Sequence, residues 1–427
     1  MLDLETIRTR TDEVRANCAN RRIEADVDLV LRLAEERSRL IQSIERMRAR
    51  RNELSKRIPK ASDEERPALV QEASRLKTEI AGQEAVLADV ERRLREEQAK
   101  IPNLTHPDAP VGPDASANRE LRRWGEPRRF DFPPKDHVAL AEALDLVDFD
   151  AGTKVSGSNF YFLKNEAVLL DLALQRFALE VLREKGFVLH TTPDLARMDV
   201  LEGTGFNPRG EETQIYRIEG QDLGLIATAE ITLGGLLKGE ILPAERLPIR
   251  LGGLSHCFRV EAGAYGRASR GLYRVHQFTK VEMFAFTLPE QSEAMHEEFL
   301  RIEEEIYQKL GIPYRVVDIC TGDLGGPAYR KFDLEAWMPG RGDGGDWGEI
   351  TSTSNCTDYQ ARRLGIRFRR ARGARPEFVH TLNGTAVAVS RTLLAILENY
   401  QEADGSVRVP EVLQPLAGFD RIGPRGT

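Results

Sequence analysis

Residues 254–286 read LSHCFRVEAGAYGRASRGLYRVHQFTKVEMFAF, and this stretch decides the fold of the larger part of the chain. Polar and apolar residues alternate at both ends, and the middle is rich in glycine, which is typical of two β-strands joined by a loop. Side chains two residues apart share a face of a strand, so Arg259 lies on the same face as Glu261. The return strand would carry a second polar face, made of His276, Phe278, Lys280 and Glu282.

This density of charge within an apolar, β-rich stretch indicates a binding surface. Arginine suits a phosphate because its planar guanidinium donates two parallel hydrogen bonds, and Arg259 is the candidate. Phe278 on the same sheet could stack on an adenine ring. Each residue alone is more often structural, so the prediction depends on their occurring together.

Two later segments carry complementary groups. In GDWGEITSTSN, the oxygen atoms of Glu349, Thr351 and Ser352 are hard ligands suited to Mg²⁺ and phosphate. HTLNGTAVAVSRTLLAILENYQ predicts a strand followed by an apolar helix that brings Arg391 to the sheet surface. The glycine-rich GRGDGG is not bracketed by a strand and a helix, which argues against a phosphate-binding loop. Upstream, EAVLLDLALQRFALEVLREK (166–185) predicts a helix that is either part of the core or a subunit interface.

The first hundred residues predict an antiparallel helical hairpin that forms a coiled coil. Two heptad seams of similar length run through them, with a break between them at residues 58–61. Ser62 with Glu65 resembles a capping box, and Pro67 fits the first turn of the second helix. The first seam consists of Leu33, Arg37, Leu40, Ile44, Met47, Arg51, Leu54 and Ile58, and the second of Leu69, Ala73, Leu76, Ile80, Gln83, Leu87, Val90 and Leu94.

The first of these helices is strongly basic. Residues 37–60 contain nine Lys or Arg residues against two glutamates. A solvated coiled-coil surface and a phosphate-contacting arm for RNA both fit this pattern, and the arm alone does not separate them. As an RNA contact, the candidate residues are Arg37, Arg46, Arg50 and Arg57.

Composition limits the remaining possibilities. The 427 residues favour two or three folding units: an N-terminal domain (1–104), a linker rich in Pro, Ala, Asn and Asp (105–130) and one α+β domain (131–427). Apolar runs long enough for a membrane span or a signal peptide are missing, so we expect a cytoplasmic protein without a membrane partner. The four cysteines are far apart in sequence, which argues against disulfides and zinc. The net charge of −7 argues against nucleic-acid binding over the whole surface.

In order along the chain, these segments resemble class II aminoacyl-tRNA synthetases. The helix leading to Pro193 resembles motif 1, FRVE with RVHQF resembles motif 2, and Gly384 to Arg391 resembles motif 3. The segments TAE, KVEMF, LNGT and LENYQ, with the hairpin, are similar to the bacterial-type seryl-tRNA synthetase family over essentially the whole chain. The resemblance implies an antiparallel catalytic sheet flanked by helices, a homodimer through the motif 1 helix, and an arm that binds tRNA(Ser). Whether tRNA(Sec) is also an acceptor stays open.

The resemblance also implies the site residues. Arg259, Glu282 and Arg391 would be catalytic, with Arg259 on the α-phosphate and the serine carboxylate and Arg391 on the γ-phosphate. Mg²⁺ would be held, together with ATP, by Glu349 and Ser352. ATP would contact Arg259, Val260, Glu261, Val275, Phe278, Glu349, Ile350, Thr351, Ser352 and Arg391. L-serine would contact Thr228, Ala229, Glu230, Arg259, Glu282, Asn383 and Thr385.

The expected reaction is the activation of serine by ATP, followed by transfer of the seryl group to tRNA. A carboxylate with a pKa near 3.5 is already ionised, so it attacks the α-phosphate without a general base. We therefore interpret His256, His276 and His380 as structural. The alternative function is a class II-like ligase that charges a carrier protein with an amino acid, because such a ligase would share Arg259, Glu282 and Arg391. Ligases of this kind lack the long arm.

Overall fold

A computed structural model describes residues 1–206, 215–261 and 271–424. The predicted glycine-rich loop of the motif 2 segment falls largely within 262–270, outside the described residues. The chain divides into two compact units, Met1–Leu104 and Thr105–Thr427. No helix in the described ranges is long and apolar enough to cross a membrane.

The first unit is helical. Asp26 caps the third helix by accepting a hydrogen bond from the backbone N–H of Leu29 at 2.8 Å. The fourth helix begins at Arg66, with Pro67 in its first turn as predicted. Glu65 rather than Ser62 is the residue before the helix, although the Ser62 hydroxyl accepts from the Glu65 N–H at 3.3 Å. At 31 and 35 residues, the two long helices are about 46 and 52 Å in length. The helices are α1 (Leu4–Thr9), α2 (Thr11–Asn20), α3 (Val27–Arg57) and α4 (Arg66–Lys100).

Ion pairs between α3 and α4 offset part of the basic charge of α3. Arg37 lies 2.9 Å from Glu91, and Arg50 lies 2.9 Å from Glu72. Several predicted seam residues are buried along the same pair of helices: Leu33, Ile44 and Leu54 in α3, and Leu76, Ile80, Val90 and Leu94 in α4. The hairpin is therefore held by apolar contacts reinforced by opposite charges.

The second unit is α+β. Its helices are α5 (His137–Ala143), α6 (Phe149–Ser156), α7 (Glu166–Glu184), α8 (Met198–Thr204), α9 (Ala229–Gly235), α10 (Ser292–Lys309), α11 (Tyr359–Leu364), α12 (Val389–Asn399) and α13 (Gln414–Ala417). Its strands are β1 (Arg119–Trp124), β2 (Val147–Asp148), β3 (Phe162–Leu163), β4 (Val188–Thr191), β5 (Leu195–Arg197), β6 (Leu223–Leu225), β7 (Ile241–Pro243), β8 (Ile249–Phe258), β9 (Gln277–Thr287), β10 (Tyr314–Asp318), β11 (Arg330–Met338), β12 (Asp346–Asn355), β13 (Arg367–Arg369), β14 (Glu377–Phe378), β15 (His380–Ala388), β16 (Val407–Arg408) and β17 (Arg421–Ile422).

Eight of these strands form one large sheet in the order β1-β10-β11-β12-β15-β9-β8-β4. All neighbouring pairs are antiparallel except β4 with β8. The predicted antiparallel sheet flanked by helices is therefore confirmed, with one parallel strand at its edge. Smaller sheets of two or three strands complete the unit.

The segment predicted as a linker contributes the opposite edge of this sheet. In β1, all six residues of RELRRW are exposed, so the strand lacks the apolar alternation that would reveal it in the sequence. Its charges are paired instead: Arg119 lies 2.8 Å from Asp318, and Arg122 binds Glu304 through two hydrogen bonds. Charged residues on an edge strand also discourage pairing with further chains.

Helices cover both faces of the large sheet. Along β9, Met283 and Ala285 join a core that includes residues of α7, α10 and α12, whereas Phe284 and Phe286 join a second core with residues of α9 and α11. This alternation follows from the two-residue period of a strand. The same period places Lys280 and Glu282 on the face that carries Phe284, and this face leads to the site.

Candidate active site

A cavity of about 540 Å³ opens on this face of the sheet. Most of the predicted site residues line it: Thr228, Glu230, Arg259, Glu261, Val275, Phe278, Glu282, Glu349, Ile350, Thr351, Ser352, Asn383, Thr385 and Arg391. Two predicted residues are not part of its lining. Ala229 is fully buried in the core at the start of α9, and Val260 follows the end of β8.

Strand register brings groups from four strands together. Thr385 of β15 lies opposite Glu282 of β9, and Ser352 of β12 lies opposite Asp333 of β11. Residues directly opposite one another in an antiparallel pair share a face of the sheet. Segments separated by more than a hundred residues in sequence therefore face the same cavity.

An irregularity in β12 sets the position of Glu349. Opposite β12, Leu334 pairs with Thr351 and the next residue, Glu335, pairs with Glu349, so Ile350 is an extra residue. In a regular strand, Glu349 and Ser352 would point to opposite faces, because they are three residues apart. The extra residue places Glu349 on the face that carries Ser352.

Glu282 is the centre of a buried charged cluster. Its Oε2 atom lies 2.5 Å from the Lys280 ammonium and 3.5 Å from the Thr385 hydroxyl, which donates to it. Burial raises the pKa of Glu282, and the charge of Lys280 opposes this shift. The neighbouring cation therefore favours the ionised carboxylate, the form that accepts hydrogen bonds.

Glu230 has neutral hydrogen-bond partners instead. The amides of Gln360 and Asn383 both donate to its Oε1 atom, at 2.7 and 3.0 Å, and neither of these bonds uses Oε2. Burial and the nearby charge of Glu282 raise the pKa of Glu230 to about 7. Gln360 is itself fixed, because it also donates to the Thr204 carbonyl and accepts from the Thr381 hydroxyl.

Arg391 and Glu349 form the other charged cluster. The Arg391 Nη1 atom donates to the Glu349 carboxylate at 2.9 Å and to its carbonyl at 3.1 Å. Burial alone would raise the pKa of Glu349, but the charges of Arg391, Lys331 and Arg259 outweigh it and lower this pKa to about 2. Glu349 is therefore an anion at any working pH.

The motif 2 residues differ from the prediction in their secondary structure. Arg259 and Glu261 follow the end of β8, and Glu261 has a φ of +52°, so a regular strand does not extend through them. The Arg259 guanidinium lies 5.3 Å from the ring centroid of Phe278. His276 precedes β9 and contacts the Arg259 carbonyl at 2.9 Å through Nδ1, outside the cavity lining.

The groups around Glu349 suit a magnesium ion that arrives with a nucleotide. Glu349 is ionised, and Ser352, which lines the same cavity, supplies a neutral oxygen. Mg²⁺ is commonly held by one or two protein oxygens while phosphates and water complete its coordination. The described residues contain no cluster of three or more His, Cys, Asp or Glu residues that could hold a metal without such help.

Sequence reasoning missed several residues of the site. Lys331 lines the cavity 3.1 Å from Asp333, and Tyr273 and Cys356 line it as well. The alternation of Lys331 and Asp333 within an apolar strand was a usable signal, like that of Lys280 and Glu282. Gln360 gave none, because its role depends on contacts with distant segments.

Two family profiles match the chain. Residues 1–105 match the seryl-tRNA synthetase N-terminal domain, and residues 214–400 match the tRNA synthetase class II core domain (G, H, P, S and T). The serine–tRNA ligase of Rubrobacter xylanophilus is 64% identical over 425 residues, which cover 99% of each chain.

Solved structures agree with these matches. The seryl-tRNA synthetase of Pyrococcus horikoshii, complexed with ATP, is 42% identical over the full length of both chains, with a TM-score of 0.92. The cytoplasmic serine–tRNA ligase of Naegleria fowleri, in complex with AMP, is 34% identical with a TM-score of 0.84, and the match covers 97% of this chain and 96% of that one.

Proposed function

The chain belongs to the seryl-tRNA synthetase family, and from that premise we propose how its cavity is divided between serine and ATP. The enzyme activates L-serine with ATP and transfers the seryl group to tRNA. One observation carries the proposed division: the same cavity contains two buried carboxylates, Glu230 and Glu282, and two guanidinium groups, Arg259 and Arg391.

Glu230 receives the ammonium group of serine. Its carboxylate is buried, and the neutral amides of Gln360 and Asn383 donate hydrogen bonds to it. Lys280 and Arg259 act on Glu230 through space, so a bound ammonium would supply the cation in direct contact. Glu282 already has a cation in Lys280 and is suited instead to accept a hydrogen bond from the serine hydroxyl, with Thr385 beside it. Thr228 caps α9 next to this pair and, with Asn383, completes the serine pocket.

This arrangement accounts for selection of serine over alanine and glycine. A site that hydrogen-bonds a hydroxyl can reject analogues without it by roughly 10⁴-fold, because its polar groups would remain unpaired. Threonine carries the hydroxyl but adds a methyl group, so it must be excluded by the size of the pocket.

ATP occupies the part of the cavity that carries the arginines. Arg259 binds the α-phosphate and the serine carboxylate, and Arg391 binds the γ-phosphate. Phe278 and Val275 contact the adenine side together with Glu261, and residues 349–352 lie along the phosphates. Glu349 and Ser352 would hold Mg²⁺, which would neutralise phosphate charge when bound.

The protein contributes mainly alignment and charge. The serine carboxylate is ionised at neutral pH and attacks the α-phosphate directly; the bond to the β-phosphate breaks and pyrophosphate leaves, so this step needs no general base. Repulsion between the two anions is the main obstacle, and Arg259 offsets it by contacting both of them. In the second step, the 3′ hydroxyl of tRNA attacks the carbonyl of the seryl-adenylate, and AMP and the hydroxyl proton leave.

The N-terminal hairpin binds tRNA(Ser) through the basic side of α3. Arg46 and Arg57 are exposed and are the better candidates for phosphate contacts. Arg37 and Arg50 already pair with glutamates of α4, so they contribute to the stability of the hairpin before any contact with RNA. tRNA(Sec), which shares the seryl acceptor chemistry, is a further candidate substrate.

A homodimer through the motif 1 helix is also part of the proposal. Helix α7 exposes Val168, Leu169 and Leu172, and the following strand β4 exposes Val188. Neighbouring exposed apolar side chains of this kind mark a protein interface. We further propose that the enzyme works in the cytoplasm and recognises serine without zinc.

Two assays test the function. Serine-dependent exchange between ATP and pyrophosphate measures the first step, and aminoacylation measures the second with tRNA(Ser), tRNA(Sec) or a carrier protein as acceptor. We expect exchange with serine and charging of tRNA(Ser). Charging of a carrier protein but not of tRNA would favour the alternative ligase.

A further inference from the structure

One tyrosine of the cavity contacts two arginines. The guanidinium carbon of Arg391 lies 4.7 Å from the ring centroid of Tyr273, and that of Arg341 lies 4.6 Å from it. The Tyr273 carbonyl also accepts a hydrogen bond from Arg391 Nε at 3.4 Å. Both distances to the ring are within the range of cation–π attraction.

These contacts restrict Arg391. Its Nε is bound to Tyr273 and its Nη1 to Glu349, so Nη2 is the nitrogen that these bonds leave for a phosphate. Arg391 is the third residue of α12, where the positive end of the helix dipole disfavours a cation. The ring, the carbonyl and Glu349 together offset this and hold the long side chain in one orientation.

Arg341 reaches the same ring from the turn between β11 and β12. Its backbone N–H donates to the Met338 carbonyl at 3.1 Å, which closes the turn. Its Nη1 atom lies over Gly348, only 2.6 Å from the position that a Cβ atom would occupy at this residue. The Arg341 guanidinium therefore lies over the backbone of β12 at Gly348, the residue before Glu349 in the sequence.

Two cations on one ring repel each other unless anions lie beside them. Glu349 pairs with Arg391 at 2.9 Å, Asp346 lies 4.0 Å from Arg341, and a polyphosphate would supply further negative charge. We propose that Tyr273 is a positioning residue that holds Arg391 and Arg341 together as a two-cation clamp for the β- and γ-phosphates of ATP. The clamp rests on the proposed function, because it takes Arg391 to be the ligand of the γ-phosphate.

The clamp is tested by comparing ATP with AMP, because AMP lacks the phosphates that the clamp binds. Affinities for both nucleotides are measured by calorimetry on the full-length enzyme, for wild type, Tyr273→Leu, Tyr273→Phe and Arg341→Ala. We expect Tyr273→Leu to weaken ATP binding about tenfold and to leave AMP binding unchanged. Tyr273→Phe keeps the ring and should restore ATP affinity to within about twofold of wild type.

A double-mutant cycle tests whether the two arginines act through one ring. Once Tyr273→Leu is present, Arg341→Ala should have a smaller effect on ATP affinity than it has in the wild type. Arg408→Ala is the matched control, since Arg408 lies 5.8 Å from the ring centroid of Tyr400, and Tyr400, unlike Tyr273, does not line the cavity. The control should not change the ratio of ATP to AMP affinity.

The outcomes separate the clamp from the proposed function. Equal weakening of ATP binding and AMP binding by Tyr273→Leu would indicate general damage to the site and would overturn the clamp. An unchanged ratio of ATP affinity to AMP affinity would overturn it as well. If Tyr273→Phe bound ATP as weakly as Tyr273→Leu, the hydroxyl rather than the ring would be responsible, and the clamp would be overturned. A wild-type enzyme without serine-dependent pyrophosphate exchange would instead overturn the proposed function.

Discussion

The serine affinity of the enzyme should depend on the ionisation of Glu230. Its pKa is raised to about 7 in the free site, because burial and the charge of Glu282 disfavour the carboxylate. If the ionised form binds the ammonium of serine, a protonated Glu230 cannot, and kcat/KM for serine must fall as the pH falls below 7. One unit below that pKa, only about a tenth of the sites are ionised, so the expected loss at pH 6 is about tenfold.

Pyrophosphate exchange at saturating ATP, measured from pH 5.5 to 9 with serine varied, gives this profile. Glu230→Gln is the control, since its amide does not titrate: its kcat/KM should be low at every pH and should lack the limb near pH 7. A wild-type profile that is flat between pH 6 and 8 would refute the assignment of the ammonium to Glu230.

Thermal unfolding gives an independent measurement. A carboxyl group whose pKa is raised on folding destabilises the protein as the pH rises from the unfolded value of 4.5 through about 7. Bound serine would remove this penalty by pairing with the carboxylate. Saturating serine should therefore raise Tm more at pH 8 than at pH 6, and a larger shift at pH 6 would contradict the sign.

Four further predictions concern other parts of the molecule. Glu282→Ala should lower kcat/KM for serine in pyrophosphate exchange by at least about 100-fold, and unchanged kinetics would remove it from the serine pocket. Arg46→Ala should weaken tRNA binding and reduce the slope of log Kd against log salt by about one, whereas Arg37→Ala should mainly lower the Tm of the hairpin; equal salt slopes for the two variants would contradict this division. Glu303→Gln should stabilise the enzyme increasingly as pH rises, because burial raises the Glu303 pKa well above its usual value; a Tm difference independent of pH would count against a buried neutral acid. Leu172→Glu should dissociate the proposed dimer in analytical ultracentrifugation, and an unchanged sedimentation coefficient would exclude this face.

The buried side of the sheet explains why Glu303 is expected to be neutral. It lies in α10 and accepts a hydrogen bond from the Thr351 hydroxyl at 2.7 Å through Oε2, and within the described ranges its Oε1 atom has no hydrogen-bond partner. Gly384 leaves room for the Glu303 carboxyl group, because a Cβ atom at position 384 would lie only 3.0 Å from Glu303 Oε1. This carboxyl could not be recognised in the sequence, where Glu303 is one of several acids on an amphipathic helix.

Elements whose pattern is local could be predicted from the sequence. Heptad spacing predicted two long helices, since residues three and four positions apart lie on one face of a helix. Alternation predicted β9 and placed Lys280 and Glu282 on one face, because side chains of a strand alternate whatever the strand pairs with. The order of the short motifs indicated the family, which the comparisons confirm.

The tertiary structure alone decided what depends on pairing between distant segments. Strand β1 has no apolar alternation, and only its pairing with β10 makes it part of the sheet. The extra residue Ile350 exists only relative to β11, yet it turns Glu349 toward the cavity. Likewise, the raised pKa of Glu230 arises from burial and from Glu282, 52 positions along the chain. The pKa of a buried group, its burial and the register of its strand depend on residues that are neighbours in space. The pattern of a single segment therefore does not contain them.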